Sequence, residues 1–171
     1  VLSVGSFSKS LWGGLRTGWV RAPEATILRL ARLRTALDLG GGLLDQAAAL
    51  SLLPRIDAIS DARRRQAAQR HEVLARALAD RLPEWRVHPC HAGWSLWVQL
   101  PGGASGDVFA SAALGQGVAL LGGRATSPDE EFLDHVRLCF SAPADLLVEA
   151  VERLARAWEA MPAERGSAVA V

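Results

Sequence analysis

The chain has 171 residues, half of them hydrophobic, and a formal net charge of +1. That length holds one ordinary core but not two large ones, and charges of mixed sign make no compositional case for an acidic substrate, a membrane surface or nucleic acid. No apolar run approaches the roughly eighteen residues of a membrane span, the opening Val1-Leu2-Ser3-Val4-Gly5 lacks the regions of a signal peptide, and two cysteines make no disulfide framework, so a reduced, cytoplasmic protein is expected.

The first residues read as a short buried strand with no initiator Met before it, as in a segment of a longer polypeptide. A loop over 6–18 leads to a second short strand over 19–22, and Pro23 sits where a helix start tolerates it. Ile27, Leu30, Leu33 and Leu37 share one arc of the following helix, with Arg29, Arg32 and Arg34 largely outside it. Gly40-Gly41-Gly42 stops that helix, and another covers about 43–53. Pro54 opens a long helix to about Leu82, with Val73, Leu74, Ala77 and Leu78 as its buried face.

Trp94, Leu96, Val98 and Leu100 then alternate with Ser95, Trp97 and Gln99, the pattern of a half-buried strand. A helix at about 106–115, strands over 118–121 and 136–140, and a final helix from Asp145 follow. Leu147, Val151, Leu154 and Trp158 keep helical spacing in the last element. The expected organisation is therefore the edge of one α/β domain over 1–22, connecting helices over 23–83, a small α+β domain over 84–160 and a flexible tail over 161–171.

Of the 19 basic residues, 18 are Arg, and Lys9 is the one Lys. A guanidinium stays protonated and cannot attack a carbonyl, whereas an amine can. Ser6, Phe7 and Ser8 precede Lys9, and Gly13-Gly14-Leu15-Arg16-Thr17-Gly18 follows it closely. A cofactor that forms an imine and carries a phosphate needs an amine at the end of a rigid element. It also needs hydroxyl and guanidinium donors, and glycines that let backbone approach. The glycine pair frees the chain to bring Arg16 back beside Lys9.

Ser6-Phe7-Ser8-Lys9 with Gly14-Leu15-Arg16 and Gly18-Trp19 resembles the lysine segment of fold-type I, class I/II aminotransferases. The resemblance implies pyridoxal 5'-phosphate bound as a Schiff base on Lys9, with Ser6 and Arg16 on the phosphate and Ser8 at a family position beside the lysine. It implies the end of a large cofactor-binding domain followed by a small α+β domain. Arg137, in His135-Val136-Arg137-Leu138, matches the family's arginine that holds a substrate carboxylate; by local pattern alone it reads as an outward strand residue. Trp12-Gly13-Gly14, Gly93-Trp94-Ser95-Leu96-Trp97-Val98 and Gly117-Val118-Ala119-Leu120-Leu121 are similar to the aminotransferase-like domains of MocR-type regulators of the GntR superfamily. Gly122 stands where that pattern has Pro.

Other features attract blander readings. His88-Pro89-Cys90-His91 reads as a loop and no metal site is assigned. His135 reads as a solvent-facing strand residue, Cys139 as a small buried hydrophobe, and Arg63-Arg64-Arg65 as a solvated helix face. Most Trp residues read as core, with Trp12 placed to line the cofactor pocket. Three functions stand open. One is a regulator domain that binds an amino-acid or amine effector, touches DNA only through an N-terminal domain outside this chain, and forms a homodimer in its parent protein. The second is part of a free-standing aminotransferase, and the third a fragment that binds nothing. The family's remaining cofactor contacts lie before the lysine strand, and the chain has no Tyr.

Overall fold

The computed structural model describes residues 1–38, 40–127, 129 and 131–161. One compact unit spans Val1–Arg65 and a second begins at Gln66, so the division falls within a helix. Apart from Met161, the tail expected to be flexible lies outside the described residues.

In the first unit, β1 (Ser3–Ser6) and β2 (Gly18–Arg21) form an antiparallel pair, with Val4 opposite Val20 and Ser6 opposite Gly18. Glycines make this pairing close: a Cβ on Gly18 would lie 2.6 Å from the Gly5 carbonyl oxygen. The intervening segment was expected to be a loop, but it contains a single helical turn, α1 (Phe7–Ser10), which the Ser6 hydroxyl caps by accepting from the Ser8 N–H at 3.2 Å. β1 was expected to be buried, yet Val4 is 68% exposed. Helix α2 (Glu24–Leu37) begins after Pro23 as expected, but none of its residues is buried and its apolar arc ends on Leu37 at 86% exposure. Helix α3 covers Leu43–Leu52. The small core here is Leu11, Leu15 and Ala49, with Phe7, Ile56 and Ile59 packed on it. Arg63, expected on a solvated face, is half-buried and donates from Nη2 to the Leu11 carbonyl.

Helix α4 (Ile56–Arg81) carries Leu74 and Leu78 into the core of the second unit. There β3 (Arg86–Val87), β4 (Ser95–Gln99), β5 (Leu121–Gly122) and β6 (His135–Cys139) form an antiparallel sheet in the order β3-β4-β6-β5. Leu96 opposes Leu138 and Val98 opposes Val136, so the buried members of both strands share one face. Helices α5 (Gly106–Gly115) and α6 (Ala144–Glu159) contribute Phe109, Leu147, Val151, Leu154 and Trp158 to the same core. Trp85, Phe109 and Trp158 meet edge to face at centroid distances of 5.0, 5.4 and 5.7 Å.

The end of α5 explains why the strand expected over 118–121 is shorter. Gly117, at φ +78°, donates to the Leu114 carbonyl, and Val118 donates to Ala113. This paired cap turns the chain through a left-handed residue that glycine adopts without strain. The backbone of 118 is thereby committed to the helix, and only Leu121 and Gly122 pair with β6. A Cβ on Gly122 would lie 2.0 Å from Asp107 Oδ1 and 2.9 Å from the Asp107 backbone nitrogen, so a proline there would collide with Asp107.

Candidate functional site

The β1–β2 hairpin brings Ser6, Ser8, Lys9 and Arg16 onto one short connection. Phe7 donates to the Thr17 carbonyl at 3.0 Å and Leu11 to Phe7 at 2.8 Å, while Leu11 and Leu15 anchor the connection from below. Ser8 donates its hydroxyl to the Leu15 carbonyl at 2.9 Å, and Arg16 Nη1 approaches Ser8 Oγ at 3.5 Å. The glycines therefore do return Arg16 to the residue next to the lysine. Lys9 is exposed and, among the described residues, has no hydrogen bond or ion pair. An unengaged amine, the Ser6 hydroxyl and a guanidinium on one short connection form a donor set that fits an aldehyde carrying a phosphate.

Trp12 is 64% exposed, and its indole covers Gly14, where a Cβ would fall 2.4 Å from the ring. An open cleft of about 230 Å³ adjoins the hairpin, lined among others by Phe7, Arg16, Thr17, Arg34 and Gln46. Arg34 was missed as a candidate because its spacing put it outside the apolar arc of α2. Its Nε donates to Asp38 at 3.1 Å; the Gly40 N–H and Arg34 together hold the Asp38 carboxyl below its ordinary pKa.

Arg137 belongs to the second unit. It is exposed on β6, between Leu121 on one neighbouring strand and Trp97 on the other, and has no hydrogen bond or ion pair among the described residues. Its face is the one turned away from the helices. The same face holds a network that sequence reasoning misread. His135 is 6% exposed rather than solvent-facing. Its Nδ1 meets Asp134 Oδ1 at 2.7 Å and its Nε2 meets His88 Nε2 at 3.1 Å, while Gln99 donates to Asp134 Oδ2 at 2.7 Å. In the tautomer whose Nδ1–H donates to Asp134, a neutral His135 leaves Nε2 to accept from His88. Burial would raise the Asp134 pKa, but the Gln99 and His135 hydrogen bonds outweigh it and lower the value. Burial, with the charges of His135 and Arg86, lowers the His88 pKa against the opposing pull of Asp134. Cys139 also departs from expectation: it is exposed. Burial raises its thiol pKa, but hydrogen bonds with Ser141 and Ser95 and the charge of Arg137 bring the net value down. His88 lies just past the end of β3 and was read as part of a loop, so the local sequence carried no signal for the network.

Comparison with known proteins gives these elements a context. No protein-family model matches the chain. It is 33% identical over 161 residues to the HTH-type transcriptional regulator TauR of Rhodobacter capsulatus, covering 92% of this chain and 33% of the regulator. It is 27% identical over 173 residues to aromatic-amino-acid aminotransferase 1 of Thermococcus litoralis, covering 91% of this chain and 38% of the enzyme. Among solved structures, LysN, an α-aminoadipate aminotransferase of Thermus thermophilus complexed with N-(5'-phosphopyridoxyl)-L-leucine, superposes with a TM-score of 0.84 at 26% identity, over 93% of this chain and 42% of that one. The chain belongs to the fold-type I aminotransferase superfamily. Within it the relatives include regulators of the MocR type as well as enzymes, and the match covers a third or less of the length of each curated regulator.

No helix among the described residues is long and apolar enough to cross a membrane.

Proposed function

We infer that this chain is the cofactor-binding, effector-sensing part of a MocR-type transcription regulator of the cytoplasm, dimeric in its full-length form, with DNA contacted through a separate N-terminal domain. The observation that carries the cofactor reading is the hairpin itself: Lys9 unengaged, with the Arg16 guanidinium returned to Ser8, its neighbour in the chain. Similarity to TauR over nearly the whole chain favours the regulator. On this reading residues 1–22 end the large cofactor domain, 23–83 connect it, and 84–160 form the small domain.

Bound pyridoxal phosphate supplies a carbonyl that condenses with amines and a ring that stabilises negative charge at the adjacent carbon. Lys9 Nζ is the attachment point. The Ser6 hydroxyl and the Arg16 guanidinium would hold the phosphate by charge-assisted hydrogen bonds, while Ser8 Oγ, its proton given to the Leu15 carbonyl, steadies Arg16 as an acceptor. The planar fork of Arg137 pairs with the carboxylate of an amino-acid effector or substrate. No metal is assigned.

The test is spectroscopic. The full-length protein carrying this segment, given pyridoxal phosphate, develops a visible absorbance band that Lys9→Ala abolishes, and an amino acid added to the wild type shifts both the band and the affinity for DNA. Absence of any band in the wild type overturns the cofactor reading.

Likeness to LysN and to the Thermococcus enzyme supports a second reading, a free-standing aminotransferase. There the free Lys9 amine would act as the base of a 1,3-proton shift that begins at the substrate α-carbon. Amino-group transfer to a 2-oxo acid without DNA binding decides for the enzyme.

A further inference from the structure

The open face of the second unit's sheet is assembled around a ring that no part of the cofactor reading uses. Trp97, on β4, stands directly opposite Arg137 on β6. Its indole stacks on His135 at a centroid distance of 5.2 Å and an interplanar angle of 21°, and Phe132 meets it edge-on at 5.8 Å. His135 is itself fixed from two sides by Asp134 and His88. Phe132 holds a left-handed backbone at φ +61°, unusual for a bulky residue and maintained only where the surroundings impose it. Gly106 and Gly123 press directly on this turn: a Cβ on either would fall 2.0 Å or less from a carbonyl oxygen of His135 or Phe132. The aromatic ring beside Arg137 is thus held in one orientation by a buried polar network and a constrained turn. Leu121, 41% exposed, stands across Arg137 on the other neighbouring strand.

An arginine whose cross-strand neighbours are an indole and a leucine is selective in a definite sense. It pairs with a carboxylate, while its flanks reward apolar surface next to that carboxylate and strand a second charge without a partner. We propose that Trp97 is a specificity-determining residue of the Arg137 carboxylate anchor and selects carboxylates flanked by apolar or aromatic groups over dicarboxylates. The proposal rests on the reading of Arg137 given above.

The test uses the full-length, cofactor-loaded protein and two unreactive probes without an amine, 3-phenylpropanoate and glutarate, titrated calorimetrically. Wild type prefers 3-phenylpropanoate. Trp97→Ala reduces that preference by about tenfold, the scale of one lost aromatic contact, and Trp97→Phe retains most of it. The ratio of two affinities in one preparation is insensitive to partial unfolding, because both probes report the same folded fraction. An unchanged ratio in Trp97→Ala overturns the proposal. Arg137→Met weakens both probes together; if it weakens neither, the carboxylate-anchor reading falls as well, whereas loss with Arg137→Met and an unchanged ratio in Trp97→Ala sinks only the role of Trp97.

Discussion

The two units of this chain achieve order by different means. The second buries a continuous set of large side chains, among them Leu78, Leu96, Val98, Phe109, Val136, Val151 and Trp158. The first buries Leu11, Leu15 and Ala49 and leaves Leu37, Leu43 and Leu44 more than 80% exposed. Each fully buried large apolar side chain contributes about 1.5–3 kcal/mol, so the second unit holds most of the hydrophobic stabilisation. The hairpin with Lys9 is ordered instead by local devices: the Ser6 cap, the Ser8–Leu15 and Phe7–Thr17 hydrogen bonds, and glycines that permit close strand approach. Segments of this kind open at low free energy. The contrast teaches that the candidate cofactor residues lie on the part of the chain with the smaller core, while the carboxylate anchor candidate, Arg137, sits on the part with the larger one.

The comparison breaks most directly at Phe109. Its side chain is fully buried between Trp85 and Trp158, so Phe109→Ala costs about 3–5 kcal/mol in urea unfolding of the second unit. Hydrogen exchange on the same chain shows slow amides in β4 and β6 and fast ones over residues 3–21. Equal protection in the two segments removes the distinction between the units.

A second probe sharpens the account of the rigid unit. Gly122 has φ −69° and ψ 162°, a backbone that proline adopts readily, so the space for a Cβ is the steric objection to the family's residue. Gly122→Pro destabilises by about 1–3 kcal/mol, the range for overpacking a tight site, and adding Asp107→Ala recovers part of the loss. A stabilised Gly122→Pro protein contradicts the collision with Asp107.

These two probes also mark what was legible in advance. Core positions whose burial follows from period alone were readable: the stripe of α6 and the alternation of β4 are both where spacing puts them, because a neighbouring layer exists to bury them. The same logic placed Ile27 to Leu37 in a core and made β1 a buried strand, and there it failed, since periodicity marks the face that seeks cover and not whether this chain supplies it. Around Lys9 the motif spacing was enough to bring Ser8 and Arg16 together, because two glycines leave a short connection few other courses. What spacing could not show was the second shell of the sheet. His135 and Asp134 are adjacent in sequence, but His88 and Gln99 reach them only through strand register, and register is not written in the local pattern. For the same reason Cys139, between Leu138 and Phe140, was placed inside when its strand turns it outward.

That buried network yields the smallest expected effect, read as a pH dependence of the second unit. The His88 pKa lies below its ordinary value in the folded state, chiefly through burial and then the charges of His135 and Arg86. The unfolded chain therefore binds more protons than the folded one as the pH falls below about 6.5, and stability declines in that window. A proton added to His88 goes to Nδ1 and leaves Nε2–H able to donate to His135, so the cost is that of charging a part-buried ring near Arg86. Asp134 acts lower on the scale: its depressed pKa contributes stability that is full above about pH 4 and disappears as the pH drops through the folded value. His88→Gln preserves a donor to His135 but cannot titrate. Its urea midpoint should hold steady between about pH 7 and pH 5, where that of the wild type falls, and both should fall together as Asp134 is protonated. Parallel decline of the two proteins across the upper window would show that the histidine pair does not set the response.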